Sequence, residues 1–234
     1  MMLSVLALGF LIGMRHTLEA DHVAAVATLT SRAGSLRKAI PIGLLWGVGH
    51  TLTLGIFCTA ALVMKTVIPA DLAHMLEVAV GVMLIVLGGD VLVRMVRERI
   101  HFHRHRHGDG VVHFHAHSHV GEKVHDPKHH DHGHPKRVMV RAFLVGLMHG
   151  MAGSAALIVL AAGNIPSTAT GLLYISLFGL GSMLGMAILT TVIAWPLNKL
   201  DRTLTWLHNG AKGCIGVFSM VLGAMIVFEI GLPV

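Results

Sequence analysis

Six stretches of this chain, about residues 2 to 29, 40 to 63, 72 to 93, 138 to 162, 169 to 195 and 206 to 231, are apolar over the roughly 20 residues that a helix needs to cross ~30 Å of hydrocarbon. Lipid offers no partner for a backbone N–H or C=O, so such runs must satisfy their own backbone as helices. The 234 residues are 54% apolar and 13% charged, whereas soluble domains usually carry about 25% charge. The expectation is an all-α integral membrane protein of six transmembrane helices.

The exception runs from 98 to 136, where apolar periodicity stops and 13 of the 19 histidines gather. It reads as a tethered polar loop. Sixteen of the 18 Lys and Arg residues lie in the first, third and fifth loops, and Lys65 alone lies in a loop on the other side. Cytoplasmic loops accumulate these residues, so both termini should face outward, and the histidine-rich loop should lie in the cytoplasm beneath the cell (inner) membrane. Topology thereby explains the formal charge of +6, and no nucleic-acid partner is needed. Residues 1 to 14 lack the basic start of a signal peptide. Cys58 and Cys214 are far apart and form neither a disulfide framework nor a C-x-x-C pair.

An internal match organises the spans. Phe10-Leu-Ile-Gly-Met-Arg-His16 recurs as Phe143-Leu-Val-Gly-Leu-Met-His149, Gly47-Val-Gly-His50 as Gly179-Leu-Gly-Ser182, and Val80-Gly-Val with Val86-Leu-Gly88 as Ile215-Gly-Val with Val221-Leu-Gly223. The three matches are colinear. They predict two three-helix repeats, 1–97 and 137–234, flanking the 98–136 loop. Three is odd, so the second repeat inserts inverted, the plan of many transporters with a midplane site between repeats.

Span one contains Arg15-His-Thr-Leu-Glu-Ala-Asp-His22 amid apolar residues. Arg15, Glu19 and Asp21 would together cost ~8 to 10 kcal/mol near the bilayer centre, against ~3 to 6 kcal/mol contributed by the Leu, Ile, Val and Phe residues of that span. These groups must face the bundle interior, water or an ion. Arg15 and Glu19 stand i, i+4 and read first as a neutralising pair, with a direct role in binding as the competing reading. His16, Asp21 and His22 make a divalent-cation site. At 3.6 residues per turn, Asp21 lies about 140° and His22 about 240° around the helix from His16. Convergence therefore requires the helix to unwind between Thr17 and Ala20; otherwise some of the three act from behind the ligands.

His50 and His149 are further candidate ligands, the latter as repeat-mate of His16, with a helix–helix hydrogen bond as the competing reading for each. Imidazole suits transition metals, whereas Mg and Ca prefer oxygen. Ser154 takes the place of Asp21 in the second repeat, so the site is asymmetric. In the loop, His101, His103, His105, His107, His113, His115, His117, His119, His129, His130, His132 and His134 alternate in tracts that can capture metal without a core, unless the loop is an inert linker. Asp90, Glu77 and Glu229 read as interface or solvated residues, and His74 and His208 as exposed. No Walker A, H-E-x-x-H or M-x-x-M motif is present, so neither an ATP-driving part, an intramembrane metalloprotease nor a Cu(I) pathway is indicated.

His16-x4-Asp21-His22 resembles the H-x4-D-H signature of the nickel/cobalt permease family, and Leu45-Trp-Gly-Val-Gly-His50-Thr resembles its second histidine motif. Six spans with Gly146-Leu-Met-His-Gly150 are similar to the shorter branch of urease-accessory and NicO-type membrane proteins. The resemblance implies a transporter, not an enzyme, that needs no cofactor and carries Ni2+ or Co2+ on ligands drawn from His16, Asp21, His22 and His50. It further implies cytoplasmic metal chaperones or urease and hydrogenase accessory proteins as partners, with uptake ahead of efflux. A membrane-anchored metal store or sensor is the alternative. The longer permeases carry an acidic motif where this chain reads His149-Gly-Met-Ala-Gly-Ser154.

Overall fold

The computed structural model describes residues 2–31, 33, 35–64, 69–97, 100–106, 112–118, 135–151, 167–203 and 205–231. Among them are seven helices: α1 (Met2–His16), α2 (Ala20–Thr30), α3 (Leu36–Met64), α4 (Ala70–Arg97), α5 (Pro135–His149), α6 (Thr168–Thr203) and α7 (Thr205–Gly231). Four of them, α3, α4, α6 and α7, contain stretches long and apolar enough to cross a membrane. Span one is divided between α1 and α2. Span four begins as α5, and its residues from 152 on, including Ser154, lie outside the described residues.

The surface pattern is that of a protein solvated by lipid. Exposed apolar side chains recur every four residues along α3 (Leu44, Val48, Leu52, Ile56) and α6 (Leu180, Leu184, Ile188, Val192). That spacing holds them on one helix face. The polar side chains His16, Thr17, His22, His50, His149, Ser182 and Ser219 are buried. An apolar outside with a polar inside suits a medium in which burying hydrocarbon gives no advantage and interhelical hydrogen bonds and close packing hold helices together.

Helices α3 and α6 pack against each other; α5 lies on α3, α1 lies on α6, and α4 runs along α7. Glycine permits the approach. A Cβ on Gly13 would strike the Phe178 carbonyl, and one on Gly146 the Trp46 carbonyl. Gly49 meets the Phe143 carbonyl in the same way, and Gly181 that of Phe10. Hydroxyls stitch the same seams: Thr53 Oγ1 donates to the Leu147 carbonyl at 2.9 Å, Thr51 Oγ1 to Gly179 at 3.1 Å and Ser182 Oγ to Gly13 at 3.1 Å. Asp90 of α4 accepts from Arg94 on its own helix and from Arg141 on α5. His208, expected to be exposed, is buried and bonds the Leu197 carbonyl at 3.0 Å. It lies in the first turn of α7, where a ring can fold back onto the end of α6.

The polar loop contains an element that alternation of histidine with other residues did not disclose. Strands β1 (Ile100–Arg106) and β2 (Val112–Ser118) form an antiparallel pair. β1 adjoins α4 and β2 adjoins α7.

Candidate metal centre

The centre begins with a broken helix. Thr17 Oγ1 donates to the Met14 carbonyl at 2.7 Å, a local bond that competes with the helical ladder. The next amides close tight i to i+3 turns, Leu18 N to Arg15 O at 2.9 Å and Glu19 N to His16 O at 3.1 Å. Glu19 is extended (φ −63°, ψ 146°) at the N-cap position of α2, whose first turn holds Asp21 and His22. The interruption falls between Thr17 and Ala20, where convergence of the three groups requires it.

It brings His16 and His22 to a ring-centroid separation of 4.4 Å. His50, on α3, stands 5.4 Å from His16 and 5.2 Å from His22. His149, at the end of α5, stands 4.2 Å from His22. All four rings are buried. His16, His22 and His50 each offer a ligand atom within 4.8 Å of the others, as do Asp21, His22 and His149. The five candidates in or beside the spans thus form two triads that share His22.

Two carboxylates decide which nitrogens are available. His16 Nδ1 donates to Glu19 Oε1 at 2.8 Å, His22 Nδ1 to Asp21 Oδ1 at 3.1 Å, and His149 Nε2 to Asp21 Oδ2 at 2.8 Å. An ionised carboxylate accepts only, so in these bonds the nitrogens carry the protons. In a neutral imidazole the opposite nitrogen then holds a lone pair. Those nitrogens, His16 Nε2, His22 Nε2 and His149 Nδ1, are buried without a hydrogen-bond partner among the described residues, as are both nitrogens of His50. Buried nitrogen left unbonded is costly. Buried lone pairs on rings this close together suit a cation that accepts imidazole.

Glu19 bonds His16 and is not paired with Arg15, because the helix that would have set them i, i+4 ends at His16. Trp46 was not singled out from the sequence. Its ring lies 5.5 Å from His22 and 5.6 Å from His149, and its indole N–H is buried without a partner among the described residues. The signal was its place four residues before His50, on the same face of α3. Phe178 of α6 flanks His16 at 5.5 Å. Trp46 is packed in the larger apolar cluster and Phe178 in the smaller one formed with Leu54, Cys58 and Ile175.

The loop candidates lie apart from this centre in the chain. His101, His103 and His105 fall in β1, and His113, His115 and His117 in β2. His107, His119, His129, His130, His132 and His134 lie outside the described residues.

The chain is similar to two named proteins. It is 33% identical over 232 residues to the urease accessory protein UreH of Bacillus sp. (strain TB-90), with 98% of this chain and 93% of that protein covered. It is 27% identical over 213 residues to the chloroplast protein FOR GROWTH AND FERTILITY 1 of Arabidopsis thaliana, with 86% of this chain and 54% of that protein covered, so the likeness spans about half of the plant protein. No family model and no solved structure matches the chain.

Proposed function

The chain belongs to the family of the urease accessory protein UreH, and from that premise we propose that it carries a divalent transition metal, Ni2+ or Co2+, across the membrane in the direction of uptake. The observation that carries this reading is the meeting of four buried imidazoles, each with a nitrogen that has no hydrogen-bond partner among the described residues. His16 Nε2, His22 Nε2 and His50 are the ligands, with His149 Nδ1 beside them. Asp21 and Glu19 act through the rings: each holds an N–H and so fixes ring orientation and raises the basicity of the far nitrogen. Their negative charge offsets part of the cation's charge in a medium of low dielectric constant. The resemblance to nickel/cobalt permeases and the name of the UreH relative favour nickel, and the link to urease favours uptake over efflux.

The transport reading rests on an architecture of six crossings in two inverted repeats, 1–97 and 137–234, joined by the 98–136 segment on the cytoplasmic side. Reciprocal contacts support it. Under the internal match, Gly13 corresponds to Gly146 and Trp46 to Phe178; Gly13 meets Phe178, and Gly146 meets Trp46. Gly49 corresponds to Gly181 and Phe10 to Phe143, and these contacts are exchanged in the same way. The aromatic neighbours follow the same rule: Trp46 flanks His149, and Phe178 flanks its mate His16. Two halves related in this way can rock about a fixed central site, exposing it to each side in turn.

Isotopic nickel accumulation by cells carrying the intact chain, His22→Ala or an empty vector tests the proposal. Higher accumulation with the intact chain, lost in His22→Ala, is expected. Accumulation below the vector control would reverse the direction, and equal accumulation in all three would remove the transport assignment.

A further inference from the structure

We propose that the metal centre holds its ion in either of two positions, never in both at once, with His22 common to the two. The first triad is His16, His22 and His50, and the second is Asp21, His22 and His149. Within each, the ligand atoms lie within 4.8 Å of one another. The inference rests on the metal-binding reading above and adds a second place for the same ion, with two nitrogens and a harder oxygen donor in place of three nitrogens.

His22 serves the two triads through opposite nitrogens of its ring. Its Nδ1 and the Nε2 of His149 are the nitrogens that meet Asp21, at 3.1 and 2.8 Å. Its Nε2 has no hydrogen-bond partner among the described residues, like the Nε2 of His16 and both nitrogens of His50. An ion in the first position takes His22 through Nε2 and leaves its Nδ1–H on Asp21. An ion in the second takes Nδ1, and the ring proton then resides on Nε2. His149 shifts its proton from Nε2 to Nδ1 in the same way, so the centre gains and loses none. A neutral imidazole offers a lone pair at only one of its nitrogens. His22 therefore serves one position at a time.

The triads also differ in which part of the chain supplies them. His16, Asp21, His22 and His50 come from α1, α2 and α3, before the 98–136 segment, whereas His149 ends α5, after it. The first position is built within one repeat, and the second joins both. A rocking motion that carries α5 away from α2 dismantles the second position and leaves the first whole, so the ion passes to the other triad through a ring that it already touches.

The test follows Ni2+ binding to the purified full-length protein in detergent, by the part of the tryptophan quenching that Trp46→Phe abolishes. His50→Ala removes the first position and His149→Ala the second. Each single variant is expected still to bind, one of them within about twofold of the intact association constant, which is the sum over the two positions; the double variant is expected to lose the response. Ni2+ counted by equilibrium dialysis at saturation should fall by about one ion in His22→Ala. Should His50→Ala fail to fold, His50→Ser takes its place, since the corresponding Ser182 of the second repeat is tolerated fully buried. Absence of binding in the His50 variant would leave the first triad alone, and absence in His149→Ala would make the five groups one joint site. An undiminished response in the double variant, or a loss of two ions or of none in His22→Ala, would place the ions otherwise. Each of these results overturns the proposal. The expected binding pattern without nickel accumulation in cells would remove transport and leave the two positions in place.

Discussion

Asp21 Oδ2 lies 2.8 Å from His149 Nε2, joining positions 128 residues apart. The same carboxylate accepts from His22 through Oδ1. One side chain at the start of α2 thus orients an imidazole on its own helix and another at the end of α5. Removing it alters two rings without removing a ligand nitrogen.

The amide of Asp21→Asn keeps the shape but carries no charge, and one end of it donates where the carboxylate accepts. At least one of the two N–H bonds must fail or invert. Loss of such a supporting group costs about 10- to 100-fold in metal affinity. Calorimetric titration of the purified protein with Ni2+ checks this, and an unchanged affinity would show that the rings are held without the carboxylate. Because a ligating imidazole must be neutral, affinity in the intact protein should be full at alkaline pH and fall as the solution is acidified.

Gly146 and Gly55 are both helical glycines in different surroundings. A Cβ at Gly146 meets the Trp46 carbonyl, whereas one at Gly55 has nothing within 4 Å. Gly146→Ala should therefore destabilise by about 1–3 kcal/mol through overpacking. Gly55→Ala should be neutral or stabilising by up to ~1 kcal/mol, since alanine is the better helix former. Thermal unfolding in detergent separates them, and equal midpoints would contradict the close crossing of α3 and α5.

Trp46 is in ring contact with His22 and His149, whereas Trp195 and Trp206 are exposed. An open-shell ion such as Ni2+ at the imidazoles should quench Trp46 emission on binding. Trp46→Phe retains an aromatic ring, Trp195 and Trp206, and should lose the saturable part of that quenching. Persistence of the full response in Trp46→Phe would place the ion elsewhere.

The sequence by itself determined the medium and the neighbourhood of the site. Long apolar runs set helices, the charge and imidazole of span one could not face lipid, and His16, Asp21 and His22 could converge only if their helix were interrupted. These are local properties, readable because helical periodicity ties spacing to direction. Tertiary structure decided the rest. The spacing of Arg15 and Glu19 suggested an ion pair, but the turn at Thr17–Glu19 turned Glu19 to His16. His208 looked like a flanking residue, but packing against the end of α6 buries it. Which imidazole nitrogens remain free depends on where two carboxylates arrive, and Asp21 reaches His149 only because α2 and α5 are brought together. The histidines of β1 stand opposite those of β2 only through the register of the two strands. Hydrogen bonds and register join residues far apart in the chain, and no spacing along a single segment records them.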